Sequence, residues 1–275
     1  MRRELLKVGR KQISYLVSET PSPGPRQPPL RTLLFLHAFP LNADMWDPQV
    51  GVAPAGWRLL APDYRGFGQT PLPNSPKTTM NDLAGDAIDL LDRLEVTETV
   101  VAGCSMGGYV AFELLESAPQ YVKGLVLVDT RAGADTEEGK AGRLKTLEKV
   151  DKGGSEAIAD DMTPKLLGAA TLRERPDLVK HVRHMIREAD PAAIKMAVTA
   201  MMNRKDMTAF INGIKVPTLI IAGAEDALIP AAAMQQMHAA IRNSEMVTIP
   251  FAGHLPNLEQ TVPFDVELRR FLQRF

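Results

Sequence analysis

Apolar residues gather in short, nearly continuous runs, separated by stretches in which they recur every three or four positions. Thr32–Leu36, Arg58–Pro62, Thr99–Ala102, Gly124–Val128, Thr218–Ala222 and Met246–Ile249 have the length of strands and none of the alternation of a half-exposed strand. Such runs belong to strands buried on both faces, as in a parallel sheet. From Met80 to Leu94, Leu83, Ala87, Leu90, Leu91 and Leu94 share one helical face, while Asp82, Asp86, Asp89 and Arg93 point away from it. That spacing predicts an amphipathic helix whose acidic side is solvated. Helices are also predicted over Val110–Ala118, over Ala231–Ile241 and from Val262 onward. Strand alternating with helix predicts a doubly wound α/β sheet. Ahead of it, Glu4–Val8 and Gln12–Ser18 predict an edge hairpin, and Ile13, Tyr15 and Val17 alternate in the second arm. Pro21, Pro23, Pro25, Pro28 and Pro29 bar a central strand from residues 20–29 and predict a surface loop.

One segment breaks the alternation. Between Arg131 and about Gly213 no run reads as a strand, and four or five helical patterns follow one another. Leu178, Val179, Val182, Met185 and Ile186 have helical spacing, and Asp190-Pro191 is an N-cap followed by proline at the first helical position. The expected organisation is a core made of residues 1–130 and 214–275, with residues 131–213 inserted as a helical cap over the strand ends. Its methionines, Met162, Met185, Met196, Met201, Met202 and Met207, are expected to serve mainly as core packing, with some available to line an adaptable pocket.

Composition narrows the partners. The chain has 275 residues, 45% of them apolar, and its 32 Lys and Arg against 33 Asp and Glu leave a formal net charge of -1. A balance this even offers no basic stripe for nucleic acid, and suits a small, nearly neutral or apolar ligand. No run reaches the ~18 apolar residues of a membrane span, and Lys7 interrupts the N-terminal apolar residues well short of a secretory signal. With one cysteine, Cys104, no intrachain disulfide is possible, and the pattern as a whole predicts a soluble, cytoplasmic protein.

The chemistry is concentrated in Gly103-Cys104-Ser105-Met106-Gly107, directly after a buried strand and directly before a helix. A sharp strand-to-helix turn projects its apex side chain, here Ser105, and needs small flanking residues so that strand and helix can approach. The helix start also aims N–H groups at any oxyanion formed there. A dinucleotide-binding turn would need glycine where Ser105 stands. A serine hydroxyl requires a base, and of the five histidines His254 lies in the loop after the last strand, at the sheet's C-terminal edge. His181 and His184, one turn apart, lack a third ligand for a metal; His238 sits in a late helix and His37 ends an early strand. An acid must orient the histidine. Asp226, just after the Thr218–Ala222 strand, completes the order serine, acid, histidine, with Glu225 and Asp129 as alternatives. A tetrahedral intermediate needs N–H donors; one is expected from Met106, the other from the loop His37-Ala38-Phe39-Pro40.

The ordered set His37-Ala38-Phe39-Pro40, Asp63-Tyr64-Arg65-Gly66-Phe67-Gly68, Gly103–Gly108, Gly223–Asp226 and Gly253-His254 spans nearly the whole chain. It resembles the α/β-hydrolase superfamily, and within it the small bacterial esterases, enol-lactonases and cofactor-free perhydrolases. The resemblance implies Ser105, Asp226 and His254 as catalytic triad, Phe39 and Met106 N–H as oxyanion donors, a structural turn at Asp63–Gly68, and neither cofactor nor metal. Ala38 stands where that family usually carries glycine, so the loop must accept a Cβ. The implied activity is hydrolysis of a small carboxylic ester or lactone through an acyl-enzyme. Acyl transfer or C–C bond hydrolysis would use the same triad, and a non-catalytic ligand receptor can be built on the same fold.

Overall fold

In the computed structural model, which describes residues 1–9, 11–19, 30–74 and 77–275, five of the six apolar runs become the middle of one sheet, while Met246–Ile249 forms a half-exposed edge strand rather than one buried on both faces, because no strand pairs with its outer side. Eight strands, β1 (Arg2–Val8), β2 (Lys11–Glu19), β3 (Arg31–Leu36), β4 (Trp57–Pro62), β5 (Thr99–Cys104), β6 (Val122–Val128), β7 (Thr218–Gly223) and β8 (Ser244–Ile249), lie in the order β1-β2-β4-β3-β5-β6-β7-β8. The pair β1–β2 and the pair β2–β4 are antiparallel, and all later pairs are parallel. The predicted hairpin is therefore present, with β1 on the edge and β2 one place in. Every residue of β5 and β7 is buried, as their unbroken apolar sequences require. The proline-rich segment 20–29 lies outside the described residues.

Short turns of helix, including α1 (Asp47–Val50), follow β3; α2 (Met80–Arg93) and α3 (Met106–Ser117) cover the sheet. After β7 come α9 (Ala231–Ala240), and after β8, α10 (Pro256–Glu259) and α11 (Thr261–Leu272). Thr79 and Asp82 cap α2 reciprocally, each bonding the other's backbone N–H. The acidic side of α2 is only partly solvated, contrary to the pattern: Asp86 is buried and takes a guanidinium N–H of Arg65 at 2.8 Å and Lys11 Nζ at 2.9 Å. The cations come from β2 and from the Asp63–Gly68 turn, distant in sequence, so local periodicity could not announce them. That turn is structural, as expected: Asp63 accepts Ala43 N–H at 2.8 Å and Gln69 N–H at 3.1 Å, and its carboxylate fills the space a Cβ on Gly68 would need.

Five helices occupy the chain between β6 and β7: α4 (Glu137–Leu166), α5 (Ala169–Glu174), α6 (Pro176–Glu188), α7 (Pro191–Met202) and α8 (Thr208–Ile211). Asp190 caps α7 by accepting Ala192 N–H at 2.8 Å, and α4 is broken by a non-helical Gly154 at φ 61°. Met185, Met196, Met201 and Met207 are buried. Arg204, just past α7, ties the two ends of this segment to each other and to α3. It stacks on Tyr109 of α3 at 4.2 Å, donates to the Gly133 carbonyl at 2.7 Å, and pairs with the buried Asp135 at 2.8 Å. Asp135 also takes Arg131 at 2.6 Å and Arg143 at 3.0 Å. Burial would raise its pKa, but the three guanidiniums outweigh that and hold it below the usual carboxylate range. No helix among the described residues is long and apolar enough to cross a membrane.

Removing one partner of a buried ion pair is costly, here moderated by the two arginines that remain. Arg204→Met is expected to lower unfolding free energy by about 3 kcal/mol at neutral pH. A carboxyl whose pKa is depressed by folding stabilises above its unfolded value and loses that contribution as pH falls. The deficit measured by urea unfolding should therefore shrink as pH falls below the ordinary carboxylate range, where Asp135 in the folded protein takes up its proton.

Candidate active site

The turn between β5 and α3 is set by close packing. A Cβ on Gly103 would collide with the Gly107 backbone, one on Gly107 with the Leu36 carbonyl, and one on Gly108 with the Thr130 side chain. Between them Ser105 takes φ 53°, ψ -113°, a conformation that few side-chain-bearing residues adopt. Its N–H donates to Val128 O at 2.9 Å, and its carbonyl accepts Thr130 Oγ1–H at 2.8 Å and Gly108 N–H at 2.9 Å. The apex serine is thus pinned to the end of β6 on one side and to its own helix on the other. Met106 is the first residue of α3, so its N–H belongs to the first turn, where a helix has no internal acceptor.

The loop after β3 is held by His37, which is fully buried. Its Nε2 accepts Tyr64 N–H at 3.1 Å, which leaves Nδ1 as the protonated nitrogen facing Ala38 O at 3.0 Å. Burial drops its pKa to about 4, so the ring is neutral and the arrangement survives across the physiological range. The ring also stacks against Tyr64, with centroids 4.2 Å apart. Ala38 O accepts Leu41 N–H at 2.9 Å as well, and Ala38 N–H points to Met45 Sδ at 3.1 Å. Ala38 is absent from the positive-φ residues, which explains why alanine is accepted there.

On the far side of β5, Asp226 and His254 meet. Asp226 Oδ2 accepts Nδ1–H of His254 at 2.8 Å, and both side chains are about 1% exposed. Asp226 Oδ1 accepts Leu228 N–H at 2.7 Å and Ile229 N–H at 3.2 Å. Burial alone would raise this carboxyl; His254 and the two backbone donors more than offset it and hold it below the usual range. Of the three acids considered from sequence, Asp226 is the one on the histidine. Glu225 instead accepts Ala169 N–H at 3.1 Å, and Asp129, at the end of β6, accepts Gly223 N–H at 2.9 Å. Cys104 is buried, its Sγ 3.7 Å from His254 O, and burial pushes its thiol well above the ordinary range. His184 and His238 are exposed on their helices, and His181 is half-buried on α6.

Residues 31–261 match the α/β hydrolase fold family, and the chain belongs to it. Among solved structures it is similar to a thermophilic esterase from Thermogutta terrifontis, at 32% identity and TM-score 0.89, covering 100% of this chain and 99% of that one. It is similar also to the enol-lactonase from Burkholderia xenovorans LB400, at 25% identity and TM-score 0.87, covering 98% and 100%. A protein of Variovorax paradoxus named as a carbamate hydrolase is 27% identical over 235 residues, 85% of this chain and 88% of that protein.

Glu259 is the residue of this site that motif reading missed. It is buried in α10; Oε1 accepts Gly253 N–H at 2.8 Å and Oε2 accepts Gly168 N–H at 2.7 Å. Leu255 N–H and the Thr171 hydroxyl bond to it as well, though burial outweighs all four donors and raises its pKa. His254 N–H donates to Leu166 O at 3.0 Å. The histidine loop is therefore clamped to the turn between α4 and α5. Only the short spacing from His254 to Glu259 could have hinted at this, since Gly168 is remote in sequence. Glu259→Gln turns one acceptor oxygen into an NH2 group facing an N–H donor. It should destabilise the fold by about 1–3 kcal/mol in denaturant unfolding.

Proposed function

We propose that this protein is a serine hydrolase that cleaves a small carboxylic ester or lactone through an acyl-enzyme. The observation that carries the reading is the buried Asp226–His254 hydrogen bond of 2.8 Å at the same sheet edge as the strained Ser105 turn. In this mechanism Ser105 Oγ attacks the carbonyl carbon and its proton passes to Nε2 of His254. Nδ1–H stays on Asp226, which fixes the tautomer and stabilises the imidazolium. Phe39 N–H and Met106 N–H bond the oxyanion, each worth about 2.7–4 kcal/mol in the transition state. Collapse expels the alcohol oxygen, which takes the proton from His254; with a lactone that alcohol remains tethered to the acyl group. Water, deprotonated by His254, then attacks the acyl carbon and frees Ser105.

Residues 131–213 are read as a cap on a core formed by residues 1–130 and 214–275. This is supported by the bonds from Leu166 and Gly168 to the histidine loop, and by the contact a Cβ on Gly66 would make with Ala193 of α7. The low net charge and the absence of a long apolar helix among the described residues favour a small-molecule substrate rather than nucleic acid or membrane.

Ser105→Ala should reduce turnover of p-nitrophenyl esters at least about a thousandfold while the far-UV spectrum stays unchanged. Retention of more than a few per cent of activity would mean the nucleophile is misassigned. Comparing p-nitrophenyl esters, lactones and carbamates in the wild type then ranks the bond classes. Because Asp226 is held below the ordinary carboxylate range, it stays ionised through the neutral region. Activity should therefore rise with pH through a single ionisation, that of the general base, with no second step from the acid behind it. With chemistry shown to limit the rate, a flat profile would remove His254 as base.

A further inference from the structure

Asp129 is buried completely, in the left-handed backbone region at φ 40°, at the point where β6 ends. Its N–H donates to Ile221 O at 3.0 Å and its Oδ1 accepts Gly223 N–H at 2.9 Å, so backbone bonds to β7 fix where the carboxyl points. Oδ2 has no N–H or O–H donor, although it is buried. Gly223 ties it to Asp226: the Gly223 N–H bonds Asp129, and the Gly223 carbonyl accepts Asp226 N–H at 3.3 Å, so both aspartates are held on one turn after β7. We propose that Asp129 carries a proton and donates it in a hydrogen bond to Asp226, so that a carboxyl–carboxylate pair, rather than a lone carboxylate, stands behind His254. The proposal rests on the triad reading above for its consequence, but not for its geometry.

Two carboxylates in contact in a buried site cannot both ionise, because the second charge meets both desolvation and like-charge repulsion. The question is which one keeps the charge. Asp226 accepts His254 Nδ1–H and two backbone N–H groups, whereas Asp129 accepts one. The other groups that act on Asp129 offer no compensation: Glu259 is acidic, and burial keeps the Cys104 thiol neutral. Burial, first, and then Asp226 drive the Asp129 carboxyl well above its usual range. A proton on Oδ2 also gives that orphaned atom its partner. Asp129 is then a positioning residue: its O–H fixes the orientation of the Asp226 carboxylate and draws off part of its charge.

Asparagine mimics a protonated aspartate, with a carbonyl for Gly223 N–H and an NH2 donor for Asp226; leucine has the shape without the donor. On the proposal, Asp129→Asn keeps kcat within about threefold and leaves the acid limb of kcat/KM in place. Asp129→Leu lowers kcat and moves that limb to higher pH, because an unbridged Asp226 holds the imidazolium more strongly. If Asp129 is instead ionised, Asp129→Asn removes a negative charge and the limb moves to lower pH by about one unit, which overturns the proposal. An infrared difference spectrum of wild type minus Asp129→Asn at neutral pH gives a readout without turnover. The proposal requires the C=O stretch of a protonated carboxyl; loss of carboxylate bands in its place overturns it. The spectrum can be read even if Ser105→Ala remains active, so failure of the triad reading and failure of this inference are separable.

Discussion

Where β5 runs into α3, helix and strand come within backbone contact, and Gly103, Gly107 and Gly108 leave no volume for a Cβ. The neighbours that exclude those atoms are the other walls of the site: the Leu36 carbonyl, from which the His37–Pro40 loop departs, and Thr130, which follows β6. Bringing three strand ends this close forces Ser105 into its left-handed conformation, at a cost of order 1–3 kcal/mol that the surrounding packing must over-determine. The Val128, Thr130 and Gly108 bonds to the Ser105 backbone do that. One steric constraint therefore places the serine, the first N–H of α3 and the start of the β3 loop relative to one another.

Electrostatics sets the opposite wall. Asp226, Asp129 and Glu259 are buried around the histidine loop, and the charge partner of Asp226 within hydrogen-bonding distance is His254. An ion removed from water costs several kcal/mol unless donors replace the lost solvation. Here the donors are mainly backbone N–H groups: Leu228 and Ile229 for Asp226, Gly223 for Asp129, Gly168 and Gly253 for Glu259. Backbone donors are fixed by the fold, so the carboxyl groups are oriented by it, whether charged or protonated. The same bonds explain the glycines of this region. At Gly223 a Cβ would strike the Gly253 carbonyl, and at Gly253 it would strike the Gly168 N–H.

The parts of this arrangement that were legible in sequence are those whose cause is local. Unbroken apolar runs announce the parallel strands β3 to β7, which are buried on both faces, but the same kind of run in β8 could not show that it lies at the sheet edge. The Ser105 turn was legible because its glycines and its flanking strand and helix are contiguous. Asp226 could be favoured by its place after β7, but separating it from Glu225 and Asp129 required three-dimensional contacts. Asp86 was read as solvated because a helical pattern records only its own face, while Arg65 and Lys11 reach it from other elements. Glu259 and Arg204 were illegible for the same reason: the groups they bond lie some 90 and 70 residues away.

Several of the long-range bonds that sequence could not show join the helical insertion to the rest of the molecule. His254 N–H is bonded to Leu166, Glu259 bridges Gly253 and Gly168, Glu225 takes Ala169 N–H, and Arg175 donates to the Glu259 carbonyl at 2.7 Å. Together they tie the turn and helices of the insertion to Glu225, to His254 and to α10, which follows it. The insertion cannot then shift at its α4–α5 turn without straining the loop that carries the histidine. A break in α4 at Gly154 lies on the other side of that turn, and the arm from Glu137 to Asp151 is largely exposed. Bonds are thus concentrated where the insertion meets the histidine loop, and the exposed arm lies earlier in the chain, before Gly154. On the proposed reading as a cap, the insertion has two roles that reside in different parts of it: the α4–α5 turn supports the histidine, and variation in the remaining helices can alter what reaches Ser105 without disturbing His254.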